Sequence, residues 1–143
     1  MIRIFLLAFT CLAVTLSGCC NKPRPETSSD KAVAGSDIAG KEWILTALNG
    51  NAVAGEKPPT LKLEDARFSA FGGINRMSGT YSMDGKRITF GQVISTKMAG
   101  DPALMELESN FAKALGSVDA YQVAGNQLML SNDGAVVAKF RSP

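Results

Sequence analysis

Between Ser78 and Gly91 the side chains change character at every second position, and the change is mirrored about Asp84-Gly85. A period of two marks a strand with one buried face, and Asp-Gly is a preferred pair for a two-residue type I′ hairpin turn. A turn there pairs Met83 with Lys86, Tyr81 with Ile88 and Gly79 with Phe90 on a largely apolar face. Thr80/Thr89, Ser82/Arg87 and Ser78/Gly91 then fall on the polar face. Turn chemistry and burial pattern agree, and a one-residue slip would turn every side chain over. In this register Phe90 covers the bare backbone of Gly79.

The same period runs through most of residues 41–143. Lys41 to Asn49 carries Trp43, Leu45 and Ala47 on one face and ends in an Asn49-Gly50 turn. Leu61 and Leu63 alternate with Lys62 and Glu64, and Phe68 and Ala70 continue beyond Glu64-Asp65, which reads as a solvated turn. Three further strands, 120–124, 127–131 and 135–141, form an antiparallel meander. A Gly125-Asn126 turn pairs Val123 with Leu128 and Tyr121 with Leu130. A three-residue Asn132-Asp133-Gly134 loop pairs Leu130 with Val136 and Leu128 with Ala138. A two-residue Asp133-Gly134 turn would instead set Lys139 against Leu128, and it is rejected on that ground. One face of the meander then holds Tyr121, Val123, Leu128, Leu130, Val136, Ala138 and Phe140.

One helix, about 101–116, interrupts the strands. Asp101 is its N-cap and Pro102 its first residue; Leu104, Leu107, Phe111 and Leu115 follow at helical spacing before Gly116. Such a stripe must pack on a sheet or plug the end of a barrel. The predicted fold class is α+β: mostly antiparallel β, with seven or eight strands in a strongly curved sheet or small barrel and one inserted helix.

The first 18 residues read as a signal peptide. Arg3 supplies positive charge, and Ile4 to Leu16 is an apolar run too short for the roughly 20 residues of a spanning helix. Leu16-Ser17-Gly18-Cys19 follows and resembles the lipobox of bacterial lipoproteins, in which the Cys is lipidated and becomes the first residue of the mature chain. Moving the frame to Cys20 would put Ser17 at the apolar position, so Cys19 is the expected acceptor. More than one acyl chain is needed for stable attachment, and a multiply acylated Cys19 supplies this. Residues 19–40, rich in Pro, Ser, Gly and Asp, read as the lipidated N-terminus and a flexible tether, and residues 41–143 as the folded domain. Cys20 rather than Asp follows the anchor, which favours the outer membrane, with the domain facing the periplasm.

The chain has 15 basic and 13 acidic residues, three Cys and no His. Without an imidazole, Ser-His and Cys-His nucleophile pairs and His-ligated zinc are excluded. A formal charge of +2 gives no electrostatic footprint for nucleic acid. Cys11 leaves with the signal, Cys19 is taken by lipid and Cys20 stands alone, so the exported domain has no internal disulfide. Ser28-Ser29-Asp30-Lys31 matches an S-x-x-K pattern, but a tether offers it no oxyanion hole.

Phe71-Gly-Gly-Ile-Asn-Arg-Met-Ser-Gly-Thr-Tyr81, Asp84-Gly85, Ile88-Thr89-Phe90, Ser95-Thr96-Lys97-Met98-Ala99-Gly100 and Asp101-Pro102 with its helix together resemble the META domain of HslJ-like, heat-inducible bacterial lipoproteins. Trp43-Ile44-Leu45 with Asn49-Gly50 resembles the opening strand of that family. The resemblance covers about 100 residues and implies an envelope protein, associated with stress response and in some members with motility, drug tolerance or secretion. It supplies no catalytic residues. Family members commonly carry Cys where this chain has Ile74 and Gly100, and their joint replacement implies that these two cysteines face each other in relatives.

Asn75, Arg76 and Lys97 are the candidate recognition residues. Asn75 and Arg76 follow the Gly72-Gly73 bend and read either as a surface recognition pair or as a turn cap and a backbone-bonding side chain. Lys97 lies in Ser95-Thr96-Lys97-Met98, where anchoring of the loop outweighs a Ser/Lys or Thr/Lys nucleophile for want of a base and oxyanion donors. Glu106 and Glu108, two apart on a helix, point to different faces. No cofactor and no metal is expected, and the chain is read as a non-enzyme. The expected function is that of a membrane-anchored envelope lipoprotein with a binding or structural domain, its partners being the membrane through Cys19 and an unidentified envelope protein; the alternative is a lipoprotein that binds a lipid or small apolar ligand. Cavity size separates the two, because side chains fill small barrels while larger ones hold ligands.

Overall fold

The computed structural model describes residues 37–143, so the signal peptide, Cys19, Cys20 and most of the tether lie outside the described residues. The elements in order are β1 (Glu42–Leu48), β2 (Asn51–Ala52), β3 (Thr60–Glu64), β4 (Arg67–Phe71), β5 (Arg76–Asp84), β6 (Arg87–Phe90), β7 (Ile94–Ser95), α1 (Pro102–Ser117), β8 (Ala120–Ala124), β9 (Gln127–Asn132) and β10 (Ala135–Arg141). Leaving aside the two-residue β2 and β7, each strand pairs antiparallel with the next along the chain, and β10 pairs with β1. Eight strands thus close into an up-and-down barrel, which leaves no long edge exposed. The closure is thinnest between β6 and β8, where the ladder holds Arg87 opposite Ala120 with Ile88 N–H donating to Asp119 O and Tyr121 N–H to Lys86 O.

That weak seam is where the helix is inserted in the chain. α1 packs against both β1 and β6, which stand on opposite sides of the ring, so it must lie across the barrel mouth rather than along one wall. Phe111, Ala114 and Leu115 are its buried residues, and the Phe111 ring meets that of Phe140 at 6.1 Å between centroids. Asp101 Oδ1 accepts from the backbone N–H groups of Ala103 and Leu104 at 2.9 and 3.3 Å, the cap that the sequence predicts. Leu104, expected on the buried stripe, stays 40% exposed, and the rest of the first helical turn is exposed with it.

Alternation puts one side chain in every two inside. Trp43, Phe68, Phe111 and Phe140 are each essentially inaccessible and are surrounded by Leu45, Leu61, Leu63, Met77, Ile88, Leu128 and Leu130. Eight strands enclose a space just wide enough for such side chains. The Trp43 indole N–H donates to Ile38 O at 2.9 Å, which satisfies its one polar atom in the core. Ile38 is itself fully buried, so the core takes in a residue from the stretch assigned to the tether.

Several registers differ from those expected from sequence. The β5–β6 hairpin turns on Gly85-Lys86, which pairs Asp84 with Arg87, Met83 with Ile88 and Tyr81 with Phe90. Gly85 alone of the two turn residues has positive φ, +59°, as a turn with Gly at its first central position requires. Each pair moves by two residues, so the apolar face survives the change. Gly79 consequently pairs with Phe68 rather than Phe90. A Cβ there would fall 2.6 Å from the Phe68 ring and 2.5 Å from Gln92 O, so only Gly fits.

At the C-terminus the rejected Asp133-Gly134 turn is the real one: both residues have positive φ and Asn132 pairs with Ala135. A β-bulge between Val136 and Ala138 removes the objection to it, because the extra residue brings Phe140, not Lys139, opposite Leu128. It also leaves Val136 41% exposed. A second bulge between Leu45 and Ala47 makes Leu48 the buried residue in place of Ala47. The turn between β3 and β4 lies on Asp65-Ala66, both at positive φ, with Glu64 still in the strand.

Candidate functional site

β4 ends at Phe71, and the backbone reverses through Gly72 and Gly73, the latter at φ +115°. This brings Asn75 inward, and at 4% exposure it is the buried polar residue of the described chain. Every polar atom of its side chain is used. Oδ1 accepts from Met98 N–H at 2.7 Å and from the Thr96 hydroxyl at 2.8 Å, and Nδ2 donates to Met98 O at 3.2 Å. Asn75 N–H donates to Glu108 Oε2 at 2.7 Å, and its carbonyl accepts from Gly72 N–H. One residue therefore ties the bend at 72–76 to the strap at 94–100 through its side chain and to the second turn of α1 through its backbone N–H.

Neighbouring contacts tighten this latch. Arg76 and Thr96 exchange bonds, with Arg76 N–H donating to Thr96 Oγ1 at 3.2 Å and Thr96 N–H to Arg76 O at 3.1 Å. Ser95 Oγ donates to Thr96 O at 3.0 Å and reaches Glu108 Oε1 at 3.5 Å. Gly72 permits the approach of Glu108, since a Cβ there would meet the Glu108 carboxylate at 2.8 Å. Ile74 lies against Gly100: a Cβ built at Gly100 falls 2.9 and 3.2 Å from Ile74 Cγ1 and Cγ2. The two positions at which relatives were expected to carry facing cysteines are thus in contact.

The structure gathers Asn75, Arg76 and Lys97 at this corner and gives them different situations. Asn75 is consumed internally and presents nothing to solvent. The side chains of Arg76 and Lys97 are exposed and free to meet a partner. Glu108, which sequence reasoning separated from Glu106 only by helical face, is the residue that completes the latch; no spacing signal marks a carboxylate 33 positions from the N–H it accepts. Among the described residues no group of three His, Cys, Asp or Glu is placed to hold a metal ion, and no helix is long and apolar enough to cross a membrane. Tyr81 and Tyr121, which burial holds above the usual phenol range, with the charges of Asp65 and Asp37 adding to it, are not among the residues of the latch.

Fold and site together define a small closed antiparallel barrel, filled by side chains, capped by one helix and closed at one corner by a buried asparagine. The chain belongs to the META domain family, which matches residues 36–143. A protein from Burkholderia xenovorans solved by NMR is similar at 28% identity and a TM-score of 0.62, over 77% of this chain and 86% of that one. A DUF4847 family protein from Bacteroides vulgatus shares the fold at 16% identity and a TM-score of 0.58, over 75% of this chain and 95% of that one. No curated protein matches the chain.

Proposed function

We propose that this is a cell-envelope lipoprotein, held at the outer membrane by acyl chains on Cys19, whose META domain binds or supports a protein partner in the periplasm without catalysis. The observation that carries the reading is the filled interior. With Trp43, Phe68, Phe111 and Phe140 occupying the barrel, recognition falls to the outer surface, and a lipid-sized ligand inside the barrel finds no support. The polar groups of the Asn75 corner are spent on one another, which supports a structural role for them rather than a reacting one.

Anchoring is tested by feeding labelled palmitate and fractionating membranes. Label in the wild type, its loss in Cys19→Ser, and recovery of the wild type with outer membranes are expected; label that persists in Cys19→Ser, or a wild type found only in inner membranes, would sink the corresponding part. Surface recognition is separated from the ligand alternative by native mass spectrometry of the Cys19→Ser protein from periplasm. A bare protein mass is expected, and a stoichiometric apolar adduct would instead favour the ligand reading. The stress association implied by the resemblance predicts that a strain lacking the protein tolerates heat less well than its parent.

A further inference from the structure

Among the described residues five large apolar side chains stay exposed, and four of them, Ile94, Met98, Leu104 and Met105, belong to the strap and the helix start that follows it. Val136 is the fifth and stands apart in β10. Scattered single apolar residues are ordinary on a surface, whereas a cluster marks a place of contact. An open groove of about 770 Å³ takes in Lys57, Lys62, Arg76 and Ile94. A second, of about 540 Å³, takes in Lys97, Met98 and Met105. The two share Met77, Ser95 and Thr96, so the strap is a ridge between two halves of one surface.

The charges on that surface are unequal. Lys57, Lys62, Arg76 and Lys97 face Glu42 and Glu108 there, and Glu108 is turned inward to the Asn75 N–H. Lys62 is paired with Glu64 at 2.8 Å; Lys57, Arg76 and Lys97 have no ion-pair partner among the described residues. An apolar ridge of exposed Met and Ile side chains, rimmed by cations, fits a boundary that is apolar inside and anionic at its edge. A phospholipid leaflet has that chemistry. Cys19 lies 18 positions before Asp37, a span of at most about 65 Å, against a domain diameter of roughly 35 Å, so a lipid on Cys19 leaves this face within reach of the bilayer.

We propose that the face built by Ile94, Met98 and Met105 with Arg76 and Lys97 is where the folded domain rests on an anionic membrane surface. The proposal rests on the lipoprotein reading for its setting, and its test does not. A chain beginning at residue 19, with Cys19 and Cys20 both replaced by Ser, carries no acyl group, so any membrane binding reports the face alone. Failure of the anchor is read separately by palmitate labelling of the full chain.

The assay is co-sedimentation with vesicles of phosphatidylglycerol and phosphatidylethanolamine, against vesicles of phosphatidylcholine. Binding selective for the anionic vesicles and weakened by salt is expected. Each cation near such a surface is worth about a fivefold change in binding, so Arg76→Gln with Lys97→Gln should cost about 25-fold. Ile94→Asp with Met98→Asp should cost at least about tenfold, while Val136→Asp should bind as the parent does; circular dichroism checks that each variant is folded. Equal binding to both vesicle types, parental binding by both double variants, or an equal loss in Val136→Asp would overturn the proposal. So would anionic vesicles left unbound, whether or not cross-linking through Lys97 then captures a second copy or an envelope protein.

Discussion

Ile74 and Gly100 offer a place to install the staple that this domain lacks. Because Ile74 Cγ1 is 2.9 Å from a Cβ built at Gly100 and one carbon–carbon bond from its own Cβ, the two Cβ atoms would stand no more than about 4.4 Å apart, inside the range a disulfide needs. Gly100 does not have the positive φ that would penalise a side chain. Closing a loop of about 26 residues removes roughly 3.5 kcal/mol of unfolded-state entropy. Trimming half-buried Ile74 to Cys costs about 1 kcal/mol of apolar contact. The oxidised Ile74→Cys, Gly100→Cys protein should therefore be about 2.5 kcal/mol more stable than the parent, a rise of roughly 10–20 °C in Tm for a domain of this size. The reduced form should fall about 1 kcal/mol below the parent, and Gly100→Cys alone should do worse, since its side chain meets an intact Ile74. The measurement is urea unfolding with and without reductant, with mass spectrometry to count thiols, in a chain whose Cys19 and Cys20 are Ser. Thiols that stay free under oxidised glutathione would refute the geometry, and a bond that forms without raising the urea midpoint would refute the energetics.

Asn75→Ala strands Met98 N–H, Met98 O and the Thr96 hydroxyl, and should cost about 2–4 kcal/mol in chemical denaturation; trypsin should then cleave after Lys97 faster than in the parent. Ala66 holds φ at +61°, a left-handed conformation costing about 1–2 kcal/mol for a residue with a Cβ. After the added freedom of the unfolded chain is subtracted, Ala66→Gly should raise the urea midpoint by the equivalent of about 0.5–1 kcal/mol. Burial first and a nearby carboxylate second raise Tyr81 and Tyr121 above the usual phenol value of 10.0. The unfolded chain therefore releases these protons before the folded one does, so stability holds below pH 10 and is lost as pH rises through the folded-state values. Unfolding midpoints across that range check this, and the decline should be shallower in Tyr81→Phe with Tyr121→Phe.

Much of the candidate site was visible in sequence as a cluster of names without an arrangement. Asn75, Arg76 and Lys97 do meet, yet the residue that makes the corner rigid is Glu108, whose partner is a backbone N–H on a distant bend. Backbone donors leave no trace in residue identity, so a carboxylate that serves one cannot be told from a solvated one. Arg76 and Lys97 were legible as candidate recognition residues, but the apolar ridge between them was not, because Leu104 read as part of the buried helical stripe and Met98 as part of an anchored loop.

The sequence alone determined the α+β class, the strand alternation, the meander and the cap of α1, because periodicity, turn residues and capping are local and each is set by a few neighbouring side chains. It also determined the faces of β5 and β6, which survived a two-residue error in the β5–β6 register because a shift by two preserves parity. Only the tertiary structure decided that β10 meets β1 to close the ring and that the bulges in β1 and β10 bring Leu48 into the core and leave Val136 out of it. The same holds for the position of α1 across the mouth. Closure, bulges and helix placement depend on fitting Trp43, Phe68, Phe111 and Phe140 into one enclosed volume, a condition on all the strands at once that no single segment expresses.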